Sequence, residues 1–331
     1  MIDPDPVLNF EVFWKTFFER YPFFDLRHVD WGRQYQIYRS RITRQSTDEE
    51  LFDTLCCMID PLNDGHVEVK ARIDGVKRRF TAEKPTRFHT ALGKDGVRQL
   101  FQTTSRTLVS NGFDVPAPTE AWVLHYGRSE SIGYLRILEL EGIGKKKLST
   151  ALNKLQQDFS SLRGFIIDIR DNPGGDDSTA IAIINRFADR QRVAFHRRTK
   201  LGCGANDWSP LKTWHLEPHG SPPFVGPIIL LTCDAVFSGG EAFALALREL
   251  PNVTIIGDHT NGIFSYTLEK TLPNGWDYCL SYQQYLSADM VCFEGRGVPP
   301  DIELLNTKAD IETGTDPLIV RALEVLSAVS S

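Results

Sequence analysis

Serine, histidine and glutamate side chains on glycine-rich turns are the residues of this sequence whose types could perform chemistry. Ser238 stands in the run Thr232-Cys233-Asp234-Ala235-Val236-Phe237-Ser238-Gly239-Gly240-Glu241. A serine hydroxyl attacks a carbonyl when a base takes its proton and fixed donors hold the oxyanion that forms. Ile228 to Leu231 is a continuous apolar run, as in a strand buried on both faces. Glu241 to Leu250 has helical composition and stops at Pro251. Ser238 therefore falls where a strand turns into a helix N-terminus, a place where backbone N–H groups lack partners and the dipole favours negative charge. Taken alone, the stretch reads as a serine capping a helix, with the glycines easing the turn.

Two further stretches carry polar groups on turns. Pro61-Leu62-Asn63-Asp64-Gly65-His66 is a tight loop leading into His66 to Arg72, which alternates like a strand. His66 sits at that junction beside Gly65, and by itself it reads as a surface-loop histidine. Gly164 to Arg170 is a second buried strand, followed at once by Asp171-Asn172-Pro173-Gly174-Gly175 and a helix over Asp176 to Ala188. With Ile132 to Ile137 and Val253 to Ile256 as strands and a helix over Leu148 to Leu162, the order predicts an α/β core with a parallel sheet. Sites in such sheets lie at the C-terminal strand ends, where Asn172 to Gly175 and Ser238 both fall.

Other segments must position these turns. Phe10, Phe13, Trp14, Phe17, Phe18 and Tyr21 form an aromatic stripe at helical period, a packing face. Helices are also predicted over Trp31 to Tyr38 and, after the capping-box pattern Ser46-Thr47-Asp48-Glu49, up to Pro61. Residues 73 to 125 give few signals: strands near Arg78 to Thr81 and Trp122 to Tyr126, and a helix near Gly93 to Leu100. Residues 191 to 226 form a long excursion rich in aromatics, whose His196, His215 and His219 match no metal spacing. A hairpin around Pro273-Asn274-Gly275 and a closing helix over Leu318 to Val329 complete the chain.

Composition excludes several classes. The chain has 331 residues, 41% hydrophobic and 24% charged, enough apolar material for a sizeable core. Its net charge of −6 leaves no electrostatic footprint for nucleic acid, and Lys145-Lys146-Lys147 reads as the solvated start of a helix. No apolar run approaches a membrane span, and the acidic N-terminus lacks signal-peptide features, so a cytoplasmic location is expected. Six scattered cysteines without Cys-x-x-Cys spacing read as reduced thiols.

Taken together, these motifs resemble those of the S41 serine peptidases, the C-terminal processing or tail-specific family that includes the tricorn core. FIIDIRDNPGG (165–175), TCDAVFSGGEAFALAL (232–247), IIGDHTNG (255–262) and EGRGVPPDIE (294–303) carry the resemblance in order, and LNDGH (62–66) resembles the tricorn-like branch. The resemblance implies a ClpP/crotonase-like parallel-sheet core over 63–331 and a helical N-terminal subdomain over 1–62. Members often carry a PDZ domain, but the roughly 65 residues after His66 are too few for one, so residues 63–130 are expected to be linking strands without it.

The branch with a Ser–Lys dyad places lysine just after the Thr-x-Gly turn, where this chain has Ile263 and Phe264. The tricorn-like alternative implies Ser238 as nucleophile, His66 as general base with a pKa near neutrality, and Glu294 as the orienting carboxylate. Gly65 stands where tricorn has a linking serine, so Glu294 would act directly or through water, or Asp64 would orient the ring. His259 is a rival base. The oxyanion hole would use the N–H of Gly239 with that of Gly174 or Gly175. The expected function is a serine peptidase working through an acyl-enzyme, with no metal or organic cofactor and a peptide or small acyl substrate. Acyl transfer or cyclisation on a small biosynthetic substrate, and binding of an apolar ligand, are the alternatives. Members of the family often form homo-oligomers.

Overall fold

The computed structural model describes residues 3–220 and 223–329. Helices α1 (Pro6–Arg20), α2 (Trp31–Tyr38) and α3 (Asp48–Ile59) open the chain, followed by strands β1 (Asp64–Ile73) and β2 (Val76–Ala82). Helix α4 (Arg87–Ser110) leads to β3 (Ala117–Pro118), β4 (Leu124–Arg128) and β5 (Ile132–Ile137). Then come α5 (Lys145–Asp158), β6 (Gly164–Asp168), α6 (Asp177–Ile184), β7 (Arg192–Thr199) and β8 (Lys212–Leu216). After these follow β9 (Ile228–Thr232), α7 (Gly239–Leu247), β10 (Val253–Gly257), β11 (Thr267–Thr271), β12 (Asp277–Ser281) and β13 (Gln283–Leu286). Strand β14 (Ile302–Glu303) and helices α8 (Lys308–Thr313) and α9 (Pro317–Val329) close the chain.

These elements form two units, the first comprising Met1–Lys84, Arg197–Lys212 and Ser265–Tyr285. It is built on an antiparallel sheet ordered β11-β12-β1-β2. The aromatic stripe of α1 covers that sheet: Phe10, Phe13 and Phe17 are fully buried, and Phe13 meets Tyr278 of β12 at 5.1 Å between ring centroids. Phe18 ends outside the stripe, 42% exposed and stacked on Trp14. Thr47 and Glu50 close the capping box of α3, whose Phe52, Leu55, Cys56 and Ile59 are buried. The unit holding the N-terminal helices thus runs past residue 62, because the β1–β2 hairpin pairs with β12 in the same sheet.

The second unit comprises Pro85–His196, Thr213–Phe264 and Leu286–Ser331. Its sheet is ordered β14-β10-β9-β6-β5-β4-β3, parallel from β14 through β5 and antiparallel at β4 and β3. Strands β6 and β9 are buried along their whole length, so both their faces must be apolar. Leu318, Ile319, Ala322 and Leu326 of α9 pack with Tyr134, Ile166, Ile229 and Ile256. Phe165 instead meets Phe159 at 5.9 Å and Phe187 at 5.1 Å. The region expected as linking strands contains α4, a helix of 24 residues broken in its φ/ψ at Gly93. Gly93, Gly96 and Thr103, Thr104 and Thr107 lower its helix propensity, while burial of Leu92, Leu100, Phe101 and Leu108 stabilises it.

The ends of β6 and α9 are tied by a buried charge network. Arg170, 1% exposed, donates to Asp168 at 2.6 Å and to Asp316 at 2.9 Å. It roots the turn that follows β6. A third sheet is ordered β13-β7-β8. Among the described residues, no helix is long and apolar enough to cross a membrane.

Candidate active site

Ser238 lies at the start of α7 with φ 54 and ψ −122, a region that non-glycine residues rarely occupy. Its side chain makes no capping hydrogen bond, so the capping reading fails. A serine strained on a strand-to-helix turn is the arrangement that presents a nucleophile. The Ser238 N–H donates to the Ile263 carbonyl at 3.1 Å, and the Ser238 carbonyl accepts from Glu241 N–H at 2.9 Å.

The turn after β6 packs directly on this serine. A Cβ at Gly174 would lie 2.8 Å from Ser238 Cβ and 2.6 Å from the Phe237 carbonyl oxygen, which only glycine at φ 97 avoids. A Cβ at Gly239 would lie 2.3 Å from the Gly175 carbonyl oxygen. Asn172 joins the two turns: its carbonyl accepts from Phe237 N–H at 3.0 Å and its Nδ2 donates to the Ile137 carbonyl at 2.8 Å.

The backbone donors differ in their commitments. Gly174 N–H donates to Asn172 Oδ1 at 2.8 Å. Leu140 bonds to the peptides on either side of Gly175, its N–H to the Gly174 carbonyl and its carbonyl to Asp176 N–H, and so bypasses the Gly175 N–H. Among the described residues, neither the Gly175 N–H nor the Gly239 N–H has a hydrogen-bond acceptor.

Glu294 is 2% exposed and accepts from Phe264 N–H at 3.0 Å. Ser238, Gly239, Gly174, Gly175 and Glu294 all belong to the second unit. Sequence reading did not mark Glu241 as part of the site. Its buried carboxylate accepts from the Thr260 hydroxyl, Gly262 N–H and Ile263 N–H, each at 2.6 Å. A lone charge inside the otherwise apolar run GGEAFALAL is the signal that could have found it.

His259 is held elsewhere in the same unit. Its Nδ1 faces the Thr260 carbonyl at 2.7 Å and its Nε2 faces Arg87 Nη2 at 2.9 Å. Both ring nitrogens are thus engaged at the strand ends.

In the first unit, His66 is the third residue of β1 and only 9% exposed, which ends its reading as a surface-loop histidine. The β1–β2 register shifts between Asp64 and Glu68, so His66 lies in a bulge, a device that re-aims a side chain. Asp64 Oδ1 accepts from the His66 N–H at 2.9 Å and its Oδ2 from the Tyr21 hydroxyl at 3.0 Å. Asp64 therefore anchors the backbone of His66, with Tyr21 of the aromatic stripe behind it. Burial pushes the His66 pKa down to about 4, against a smaller upward pull from Asp64.

The family model for peptidase family S41 matches residues 131–304, and that for the tricorn protease C1 domain matches residues 8–60. The carboxy-terminal processing protease CtpA of Bacillus subtilis is 26% identical over 176 residues, 53% of this chain and 35% of that protein. The tricorn protease of Thermoplasma acidophilum is 26% identical over 208 residues, 61% of this chain and 17% of its own. The chain thus spans about a third of CtpA and less of tricorn. A crystal structure of a candidate peptidase from Parabacteroides merdae superposes with a TM-score of 0.80 at 26% identity, covering 98% of this chain and 97% of the other. Mature CPAF complexed with lactacystin shares the fold, with a TM-score of 0.66 at 12% identity and 98% coverage of both chains.

Proposed function

Because the chain belongs to peptidase family S41, we propose that it cleaves peptide bonds through an acyl-enzyme on Ser238. The observation that carries this reading is the strained Ser238, free of any capping bond, beside the uncommitted N–H groups of Gly239 and Gly175. His66 takes the hydroxyl proton as Ser238 Oγ attacks the scissile carbonyl carbon. The carbonyl oxygen then carries the negative charge, and two N–H donors stabilise it. Gly239 and Gly175 supply them, since the Gly174 N–H is spent on Asn172. Collapse of the adduct breaks the C–N bond, and His66 returns the proton to the leaving amine. Water, deprotonated by the same imidazole, hydrolyses the acyl-enzyme. Glu294 stabilises the imidazolium that forms in each half.

A fluorophosphonate probe tests the reading. Ser238→Ala should abolish both covalent labelling and turnover of peptide substrates while leaving the circular dichroism spectrum unchanged. Labelling that survives in this variant would put the nucleophile at another residue.

A further inference from the structure

Three acidic residues stand just past three neighbouring strand ends: Asp171 after β6, Asp234 after β9 and Asp258 after β10. The first turn of α4 is bound to all three. Asp234 accepts from Arg87 N–H at 2.5 Å and from Phe88 N–H at 3.0 Å, so a carboxylate from another element satisfies the orphan donors of the helix. The Arg87 guanidinium pairs with Asp258. His89 Nε2 lies 2.7 Å from Asp171 Oδ1, and its Nδ1 lies 2.9 Å from the Thr86 hydroxyl.

The last pair differs from the others in what it controls. Asp171 has φ 63, a left-handed conformation that aspartate adopts in turns, and Asn172 N–H donates to the Ile169 carbonyl at 3.0 Å across it. Its chain neighbours are locked inside the protein, Arg170 by Asp168 and Asp316 and Asn172 by Ile137 and Phe237. Asp171 is the outer corner of the turn, and the group that grips its carboxylate is His89. Facing a carboxylate, Nε2 is the donor of the pair, and the Thr86 hydroxyl faces Nδ1. Four residues past that corner, Gly175 presents its N–H beside Ser238.

We propose that His89 is a positioning residue for the reaction: its bond to Asp171 holds the 171–175 turn so that the Gly175 N–H stays aimed at the oxyanion. Helix α4 supplies the lever, since the non-helical Gly93 separates this first turn from the rest of the helix. The inference rests on reading Gly175 as an oxyanion donor, and it adds a residue about 80 positions away from the turn it steadies.

His89 is 48% exposed, so replacing it leaves the core intact. His89→Ala should raise amide hydrogen exchange across residues 171–176 about tenfold and lower kcat about tenfold, with KM within about twofold, because a displaced donor is felt in the transition state. His89→Gln places an amide N–H where Nε2 stood and should restore both. Unchanged exchange in His89→Ala overturns the proposal, as does a loss of kcat that His89→Gln leaves uncorrected. Exchange reads the turn without catalysis, so a failure of the Ser238 reading, seen as labelling in Ser238→Ala, is distinguished from a failure of this one.

Discussion

Ser238 and Glu294 are joined through a single peptide group: its carbonyl, of Ile263, accepts the Ser238 N–H at 3.1 Å, and its N–H, of Phe264, donates to Glu294 at 3.0 Å. Glu241 braces that same loop from α7 through Thr260, Gly262 and Ile263. The loop also meets the closing turn, since Gly295 N–H donates to the Gly262 carbonyl at 2.7 Å. Residues scattered over 57 positions therefore share one rigid support, and an error in the loop moves both side chains.

Removing the brace should be costly. Glu241→Ala leaves the buried Gly262 and Ile263 N–H groups without acceptors, about 1–3 kcal/mol each. A total loss of about 3–5 kcal/mol is expected from urea unfolding, with Glu241→Gln intermediate because one oxygen still accepts. The variant should also lose kcat at temperatures where it remains folded. Unfolding at the wild-type midpoint would refute the bracing role.

Much of the second unit was legible in the sequence, and the reason is local. Strands β6, β9 and β10 are short apolar runs between turn residues, and runs of that length bounded by turns read as strands, of which β6 and β9 are buried throughout. The conformation of Ser238 was not legible. A serine that caps a helix and one that does not look alike in sequence; at Ser238 the positive φ and the missing capping bond tell them apart. The bulge at His66 was hidden too, since the alternation of Val67, Val69 and Ala71 reads as an ordinary strand beginning at the histidine. The pairing of β1 with β12 joins residues about 200 apart, and no local pattern encodes such a contact.

The backbone at Ser238 offers a stability test independent of activity. A serine at φ 54 and ψ −122 carries about 1–3 kcal/mol of strain, which glycine does not feel. Ser238→Ala keeps the Cβ and the strain, so its stability should match wild type. Ser238→Gly relieves the strain but loses about 0.5–1 kcal/mol to chain entropy, for a net gain of about 1 kcal/mol over Ser238→Ala. Thermal unfolding of the two variants decides it, and a glycine variant less stable than the alanine variant would remove strain from the account.

Gly174 tests the close approach of the two turns. Alanine there would push Cβ to 2.6 Å from the Phe237 carbonyl oxygen and would also have to hold φ 97. The turn must shift away from Ser238, so probe labelling should slow by about 100-fold while the protein stays folded with a loss of about 1–3 kcal/mol. Wild-type labelling kinetics in Gly174→Ala would mean that the turn does not govern the serine's surroundings.

The His66 imidazole makes the last prediction one of sign as well as size. Burial lowers its pKa from 6.5 to about 4, so the folded protein favours the neutral ring. Above pH 6.5 neither state protonates it and it contributes no pH dependence. As pH falls from 6.5 towards 4, the unfolded chain binds a proton that the folded protein refuses, and stability declines by up to about 3 kcal/mol. Stability should therefore rise with pH across that window in the wild type, and less so in His66→Asn. The comparison is cleanest between pH 5 and 6.5, where most carboxylates are already ionised in both proteins. With His66 as the proposed base, the same depressed pKa keeps its ring neutral down to mildly acidic conditions, so the acid limb of kcat/KM should fall near pH 4 to 5. An acid limb near 6.5, with no difference in pH-dependent stability between wild type and His66→Asn, would show that the imidazole is solvated.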